Sequence, residues 1–280
     1  MGDDDDREAL WRGLLTGGDS PIRHDRDRFK RWPGSPRCKT CLYPLGGPVA
    51  RVLRLRSGRG PSRKNPNFCN LCEEFVRTHP GGSEVDVSLL FADVRGSTGI
   101  AESMEAARFS ALMNRFFRAG THVLIDTDGL IDKFVGDEVV GLYLPAMVAD
   151  HPRAAIEAAQ KLLSALGYGD PDGPWLPVGV GIHSGTAFVG SVGDPSVADF
   201  TAMGDTVNVA ARLASAAKAG EILVSDAAWK RSGIDAVSTP TRKLEVKGRT
   251  APVEVRVLRV DAPAQSRAVG PRASGADPGS

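Results

Sequence analysis

The chain has 280 residues, of which 41% are apolar and 25% charged, and its formal net charge is +1. These values are ordinary for a globular protein with one sizeable domain and a smaller one, and they give no global reason to expect nucleic acid or a membrane as partner. No apolar stretch approaches the length of a membrane span. The acidic N-terminus lacks the apolar segment of a signal peptide, so the sequence predicts a cytoplasmic protein.

Changes in composition along the chain predict four parts. The segment at 79–83, with Pro and two Gly, is predicted to be a linker. The parts are 1–34, a polar segment with one short helix at 7–15; 35–80, a cysteine-containing module; 84–260, the main domain; and 261–280, a disordered tail rich in Ala, Pro, Gly and Ser.

Strand and helix patterns alternate in the main domain. The predicted strands are 85–92, 129–134, 138–144, 178–189, 222–224 and 253–260, and the predicted helices are 105–125, 152–166 and 205–217. The second and third strands form a hairpin pair. This order predicts an α+β fold with a mainly antiparallel sheet.

Two aspartates stand where predicted strands end. Asp93 follows an apolar strand, and Asp137 lies at the turn of the predicted hairpin. Carboxylates fixed at neighbouring strand ends suit a pair of Mg²⁺ ions, which prefer oxygen ligands and stabilise attacking and leaving oxygens in phosphoryl transfer. Taken singly, each Asp is better explained as a turn or cap residue.

A short loop after Asp93 opens a helix. The backbone N–H groups of Gly96, Ser97 and Thr98, at the positive end of that helix, suit a triphosphate. The sequence therefore predicts phosphate binding beside the metal ligands.

A later helix carries Asn208 and Arg212, which share a face because they are four residues apart. Asn208 can donate a hydrogen bond to a ribose oxygen, and Arg212 can stabilise charge on a phosphate in the transition state. The alternative is a solvated helix face, although Asn inside a helix is mildly unfavourable.

Four segments together resemble the class III adenylyl and guanylyl cyclase domain: FADVRGST, KFVGDE, GIHSGTAFVGSVG, and GDTVNVAARL with AGEILVS. They occur in the family's order, and the resemblance covers roughly residues 85–258. It implies a ferredoxin-like catalytic domain. Asp93 and Asp137 resemble the family's two metal-binding aspartates, with the Val94 carbonyl near a metal, and Asn208 and Arg212 resemble its transition-state residues.

Three further residues resemble substrate-binding positions of the family. Lys133 matches the lysine that reads the adenine ring, and Thr201 stands at the second base-reading position. Guanylyl cyclases carry Glu and Cys at these places, so the pair favours ATP, since a lysine suits adenine N1 and a threonine hydroxyl can accept from the N6 amine. Lys247 resembles a lysine that contacts the terminal phosphates, with an exposed strand-end lysine as the alternative.

In this family the active site lies between two subunits, with the metal aspartates from one and the lysine, Asn and Arg from the other. A chain with both sets implies a symmetric homodimer. The implied reaction is attack of the ribose 3′-hydroxyl on the α-phosphate of ATP, assisted by two Mg²⁺ or Mn²⁺ ions per site, giving cyclic AMP and pyrophosphate for signalling. The alternatives are a catalytically silent regulatory protein of the same fold, or a zinc-module nucleic-acid binder with a cyclase effector.

The cysteine module has the spacing CxxC-x27-CxxC, formed by Cys38, Cys41, Cys69 and Cys72. Four thiolates suit tetrahedral zinc, in a zinc ribbon or treble clef that is too poor in apolar residues to fold without metal. An iron–sulfur centre and a redox thiol pair are the alternatives. His79 is a candidate substitute ligand, although such a residue is more often exposed.

A basic stretch overlaps this module, because residues 21–64 contain thirteen Lys or Arg and two acids. Such a stretch on a zinc module is compatible with nucleic acid or another acidic partner. A solvated loop or salt-bridged edge is the favoured interpretation. The module is also a candidate for sensing redox state or metal, or for orienting the dimer.

Overall fold

The structure is a computed structural model, and it describes residues 2–17, 21–62, 68–194, 199–235, 239–245 and 252–260. Lys247 and the predicted tail at 261–280 lie outside these ranges. Within them, no helix combines the length and apolar character needed to cross a membrane.

Helices and strands alternate in a long series. In the described residues the helices are α1 Gly2–Thr16, α2 Pro21–Phe29, α3 Pro48–Ser57, α4 Asn70–Thr78, α5 Ser97–Glu102, α6 Ala106–Asp126, α7 His151–Ala165, α8 Asp205–Ala216 and α9 Asp226–Arg231. The strands are β1 Gly81–Val94, β2 Leu130–Val135, β3 Glu138–Tyr143, β4 Val178–Val192, β5 Asp199–Met203, β6 Glu221–Ser225, β7 Thr241–Leu244 and β8 Val253–Arg259.

These strands form one sheet in the order β2-β3-β1-β4-β6-β8-β7, and β5 pairs with β4 beside this path. Every pairing is antiparallel except that of β4 with β6. The predicted α+β class with a mainly antiparallel sheet is therefore confirmed. Strands β1 and β4 are hydrogen-bonded along their whole shared length and form the centre of the sheet.

Strand β1 is buried on both faces because alternate side chains enter different cores. Leu90, Ala92 and Val94 pack with helices α6 and α7. Leu89 and Phe91 point to the opposite face, in a cluster that includes α1, α8 and the cysteine module. The sheet thus lies between two helical layers.

The predicted linker at 79–83 is wrong from Gly81 onward, since β1 begins there and Gly81 pairs with Ser191. Each glycine has its own reason. A Cβ on Gly82 would lie 2.4 Å from the carbonyl oxygen of Val189, whereas Gly81 has a φ of 106°, which other residues rarely adopt. The cysteine module consequently runs into the central strand with only a short connection.

The N-terminal segments share the core of the sheet. The Trp11 ring of α1 stacks on Phe200 of β5, with centroids 5.9 Å apart, and meets Phe75 of α4 edge-on at 5.3 Å. Arg26 of α2 is fully buried and donates to the carbonyls of Thr40 and Gly129, at 2.9 and 2.8 Å. These contacts bring the cysteine module against the strands that carry the predicted site.

Candidate active site

The structure brings Asp93 and Asp137 together at one end of the sheet. Asp93 lies opposite Glu138 in the β1–β3 register, and the N–H of Val94 donates to the carbonyl of Asp137 at 3.3 Å. Asp137 occupies the tight turn between β2 and β3, which Gly136 makes possible with a φ of 59°. Both carboxylates are therefore held by strand ends, as predicted.

The charges around this pair are mixed. The Arg95 guanidinium forms an ion pair with Asp93 and donates to the carbonyl of Ser215 in α8 at 2.8 Å. Burial lowers the pKa of Arg95, while Asp137 and Glu138 oppose that shift. Burial and the Asp137 carboxylate raise the pKa of Glu138. The carboxylates of Asp93 and Asp137 offer the oxygen donors that Mg²⁺ and Mn²⁺ prefer.

The predicted phosphate-binding loop lies beside these carboxylates. Gly96 precedes α5, and no side chain caps the first turn of that helix in the described structure. The Arg95 N–H donates to the carbonyl of Pro177 at 2.8 Å, which anchors the loop to the sheet. Ser97 and Thr98 open the helix, and their contact with a triphosphate stays a prediction.

A third residue joins the two predicted base readers. The Thr201 hydroxyl donates to Oδ2 of Asp132 at 3.0 Å, and Nζ of Lys133 lies 3.4 Å from the same oxygen. A register shift between Ile131 and Lys133 interrupts the β2–β3 pairing, so Asp132 is only 5% exposed while Lys133 is open to solvent. Sequence reasoning missed Asp132, although an acid inside the apolar run LIDKFV is a signal for it.

A lysine of the cysteine module extends this network. Nζ of Lys39 lies 2.9 Å from the carbonyl oxygen of Asp132 and 2.7 Å from Oδ1 of Asp199. Its side chain is only 7% exposed. Lys39 stands between Cys38 and Cys41, so the first CxxC turn contacts the strands that carry both base readers.

Asn208 and Arg212 lie on α8, which packs across β4 and β1. Asn208 is exposed and Arg212 is half-buried. Neither side chain makes a hydrogen bond or ion pair with any other residue that the structure describes. A single chain thus does not connect them to Asp93 or Asp137, and both are available to a ligand.

The four cysteine sulfurs form a compact cluster, all within 4.8 Å of one another. The sulfurs of Cys41 and Cys69 are 3.8 Å apart, far beyond the roughly 2.05 Å of a disulfide. A zinc–sulfur distance of about 2.3 Å corresponds to a tetrahedral edge of about 3.8 Å. The donor set and the spacing therefore fit zinc, and the predicted clustering is confirmed. His79 lies outside this group and stacks on Phe75.

One residue of the basic stretch contacts the sulfurs directly. Arg59 donates to the sulfurs of Cys41 and Cys69, at 2.9 and 3.3 Å, and to the carboxylate of Asp25 at 2.8 Å. Burial lowers the pKa of Arg59, but the neighbouring cysteines and Asp25 outweigh it and raise the pKa above its ordinary value. The predicted basic stretch is thus partly a counter-charge for the cluster, a role that spacing alone did not reveal.

The match to a known family gives the class of this domain. Residues 82–258 match the family described as the adenylate and guanylate cyclase catalytic domain. Because the match spans well over half of the chain, the chain belongs to that family.

Curated relatives are similar over part of their length. The chain is 33% identical to an adenylate cyclase of Anabaena cylindrica over 132 residues, which are 45% of this chain and 26% of that protein. It is 30% identical to adenylate cyclase 1 of Rhizobium meliloti over 178 residues, 61% of this chain and 27% of that protein. The chain thus spans about a quarter of the length of these relatives.

Solved structures agree in fold. The guanylyl cyclase Cya2 superposes with a TM-score of 0.59 at 25% identity, covering 67% of this chain and 98% of its own. The adenylyl cyclase CyaB from P. aeruginosa gives a TM-score of 0.55 at 29% identity, covering 62% of this chain and 94% of its own.

Proposed function

We propose that the protein is an adenylate cyclase that converts ATP into 3′,5′-cyclic AMP and pyrophosphate for signalling. The observation that carries this proposal is the joining of Lys133 and Thr201 through the buried Asp132 carboxylate. A lysine beside an oriented threonine suits the N1 and N6 positions of adenine. Relatives named adenylate cyclase support the same choice.

Each predicted site residue has a place in this function. Asp93, Asp137 and the Val94 carbonyl would hold two Mg²⁺ or Mn²⁺ ions, which when bound supply activation of the 3′-hydroxyl and charge for the triphosphate. Asn208 orients the ribose, and Arg212 stabilises charge that develops on the α-phosphate.

Four more residues are assigned to the triphosphate. The loop of Gly96, Ser97 and Thr98 offers N–H groups and hydroxyls to the phosphates. Lys247 is proposed to contact the terminal phosphates, from a position outside the described residues. Most of the catalysis is then positioning and charge stabilisation.

We further propose a symmetric homodimer with two shared active sites. Within one chain no hydrogen bond or ion pair joins the α8 residues to the strand-end aspartates in the described structure. Three large apolar side chains next to the base readers are exposed: Phe134 by 41%, Val135 by 51% and Met203 by 50%. An isologous contact would cover this surface and complete each site.

The cysteine cluster is proposed to bind one structural zinc ion. Its sulfur spacing and the Arg59 contacts support this assignment. ATP as substrate and thiolates as ligands both suit the cytoplasm.

Turnover with ATP and GTP, measured side by side on the purified chain with Mg²⁺ or Mn²⁺, tests the proposal. Cyclic AMP is the expected main product, with metal content measured on the same sample. Absence of product from both nucleotides would favour the catalytically silent alternative. Salt-dependent binding of DNA or RNA by the whole chain would favour the nucleic-acid alternative.

A further inference from the structure

We propose that Asp132 sets the base preference of the site by fixing the Thr201 hydroxyl as an acceptor toward the base, and that Lys39 of the first CxxC turn holds Asp132 in place. This inference rests on the proposed function and names two residues that the family resemblance did not assign. Neither is proposed to touch the substrate, so both are positioning residues.

The first step is the direction of the hydrogen bond between Thr201 and Asp132. An ionised carboxylate only accepts, so the hydroxyl proton of Thr201 must point to Oδ2, 3.0 Å away. The remaining lone pairs of that hydroxyl can only accept. Adenine presents an amine at position 6 and guanine a carbonyl, so a hydroxyl held as an acceptor pairs with adenine and leaves guanine unpaired.

The second step concerns how strongly Asp132 retains the hydrogen bond from the Thr201 hydroxyl. The residue is 5% exposed, and its other oxygen, Oδ1, is buried with no hydrogen-bond partner among the described residues. A buried acceptor that is already short of one donor loses more free energy if it gives up another. Burial, together with the Asp199 carboxylate, raises the pKa of Asp132, and Lys39, Lys133 and the Thr201 hydrogen bond offset part of that rise by favouring the ionised form.

The third step is the position of the two strands that carry the readers. Strand β2 pairs with β3, and β5 pairs with β4, so the sheet does not connect β2 and β5 directly. Lys39 bridges them with one ammonium group, which contacts the Asp132 carbonyl in β2 and the Asp199 carboxylate at the start of β5. The Lys39 ammonium also lies over the Phe68 ring, with Nζ 5.2 Å from the centroid.

The decisive variant is Asp132→Asn, which keeps the shape but can donate to Thr201. The ratio of kcat/KM for ATP to that for GTP should fall about ten-fold, the size of one reversed hydrogen bond. In a Thr201→Val background the same change should leave the ratio unaltered, because there is no hydroxyl left to orient. An unchanged ratio in Asp132→Asn, or an equal drop in both backgrounds, overturns the inference.

Lys39 is tested separately. Lys39→Met should move the ATP to GTP ratio in the same direction, and Lys39→Arg should recover part of it. Lys30→Met is the matched control, since Lys30 also joins the N-terminal region to the residues before β2, through a 2.9 Å ion pair with Asp128. A shift of equal size in Lys30→Met would mean that Lys39 acts only through general stability.

Equilibrium binding of fluorescent ATP and GTP analogues gives a readout that does not need turnover. If the wild-type chain forms no cyclic nucleotide, the proposed function fails. The inference then still predicts that Asp132→Asn lowers the preference for the ATP analogue. A wild-type chain that binds both analogues equally overturns the inference whatever its activity.

Discussion

The guanidinium group of Arg59 lies 2.9 Å from the sulfur of Cys41. A cation that donates to a sulfur atom stabilises its thiolate, and Arg59 reaches the sulfur of Cys69 as well. Four thiolates around one zinc ion carry a net charge of −2, so the half-buried Arg59 guanidinium offsets part of that charge. Contacts of this kind to ligand atoms raise the affinity of a metal site.

One zinc ion per chain is therefore expected, and Cys38→Ser with Cys41→Ser should abolish it. Arg59→Gln should retain the stoichiometry but weaken affinity about 10–100-fold, because the ligands keep their places while the counter-charge is lost. Competition with a chromophoric chelator measures both. Arg51→Gln, an exposed residue of the same stretch, is the control. Equal zinc affinity in Arg59→Gln and wild type would contradict the assigned role.

Removing either strand-end carboxylate should abolish turnover. Asp93→Ala and Asp137→Ala each delete a proposed metal ligand, and the expected loss is at least about 100-fold in kcat/KM. Circular dichroism should show that both variants stay folded, because each residue lies at a strand end, although Asp93→Ala also loses the ion pair with Arg95. Asp172→Ala, an exposed acid, is the comparison variant. Full turnover in either site variant would refute the metal assignment.

Arg212→Ala should act on kcat far more than on KM. A group that stabilises charge only in the transition state lowers kcat when removed, by about 100-fold or more for a charge-assisted contact. Steady-state kinetics over a wide ATP range separates the two constants. An effect confined to KM would assign Arg212 to ground-state binding instead.

Mixing two inactive variants tests the shared site. A heterodimer of Asp93→Ala with Arg212→Ala contains one site in which both residues are intact, so an equal mixture should regain up to about a quarter of wild-type activity. The measurement is turnover before and after subunit exchange. A mixture that stays as inactive as its components would argue that both residues act within one chain.

The buried His151 should make the free energy of unfolding decrease in weak acid. The ring is 3% exposed and lies beside the Ser88 hydroxyl and the Asp86 carboxylate, at 2.8 and 3.3 Å. Burial lowers its pKa from 6.5 to about 4, so the unfolded chain binds a proton that the folded chain does not. Stability is then lost progressively as the pH falls from about 6.5 to about 4.

The contribution of this histidine is about 2 kcal/mol between pH 7 and pH 5. Urea unfolding at the two pH values should show that the free energy of unfolding falls by about 2 kcal/mol less in His151→Gln than in wild type. The exposed His122→Gln should keep the wild-type dependence. Parallel curves for all three proteins would contradict the lowered pKa.

Periodicity predicted the long elements of the domain, because each buries a regular face. The patterns at 105–125 and 178–189 correspond to α6 and β4. It did not predict the short strands β5 and β7, or α2 and α3 in the basic N-terminal part, because each is too short to show a regular period. Those elements are stabilised by tertiary contacts such as the one between Trp11 and Phe200, which no local pattern encodes.

The candidate site, like the fold, was predictable from the sequence only in part. Asp93, Asp137 and the spacing of Asn208 and Arg212 follow from local sequence, and their residue types indicate their chemistry. The link through Asp132 does not, because it depends on the interruption of the β2–β3 register and on a partner 69 residues away. Long-range pairing of this kind becomes visible only when the strands are in place.

The stacking of Trp11 on Phe200 limits where the chain can be shortened without disturbing the site. Phe200 immediately precedes the base reader Thr201, and the family match begins only at residue 82. A chain that began at residue 82 would keep every residue assigned to catalysis. It would, however, lose Trp11 and expose the Phe200 ring to water beside the base reader Thr201. Helix α1 therefore belongs to the packed core beside the base reader, although it lies before the residues that match the family.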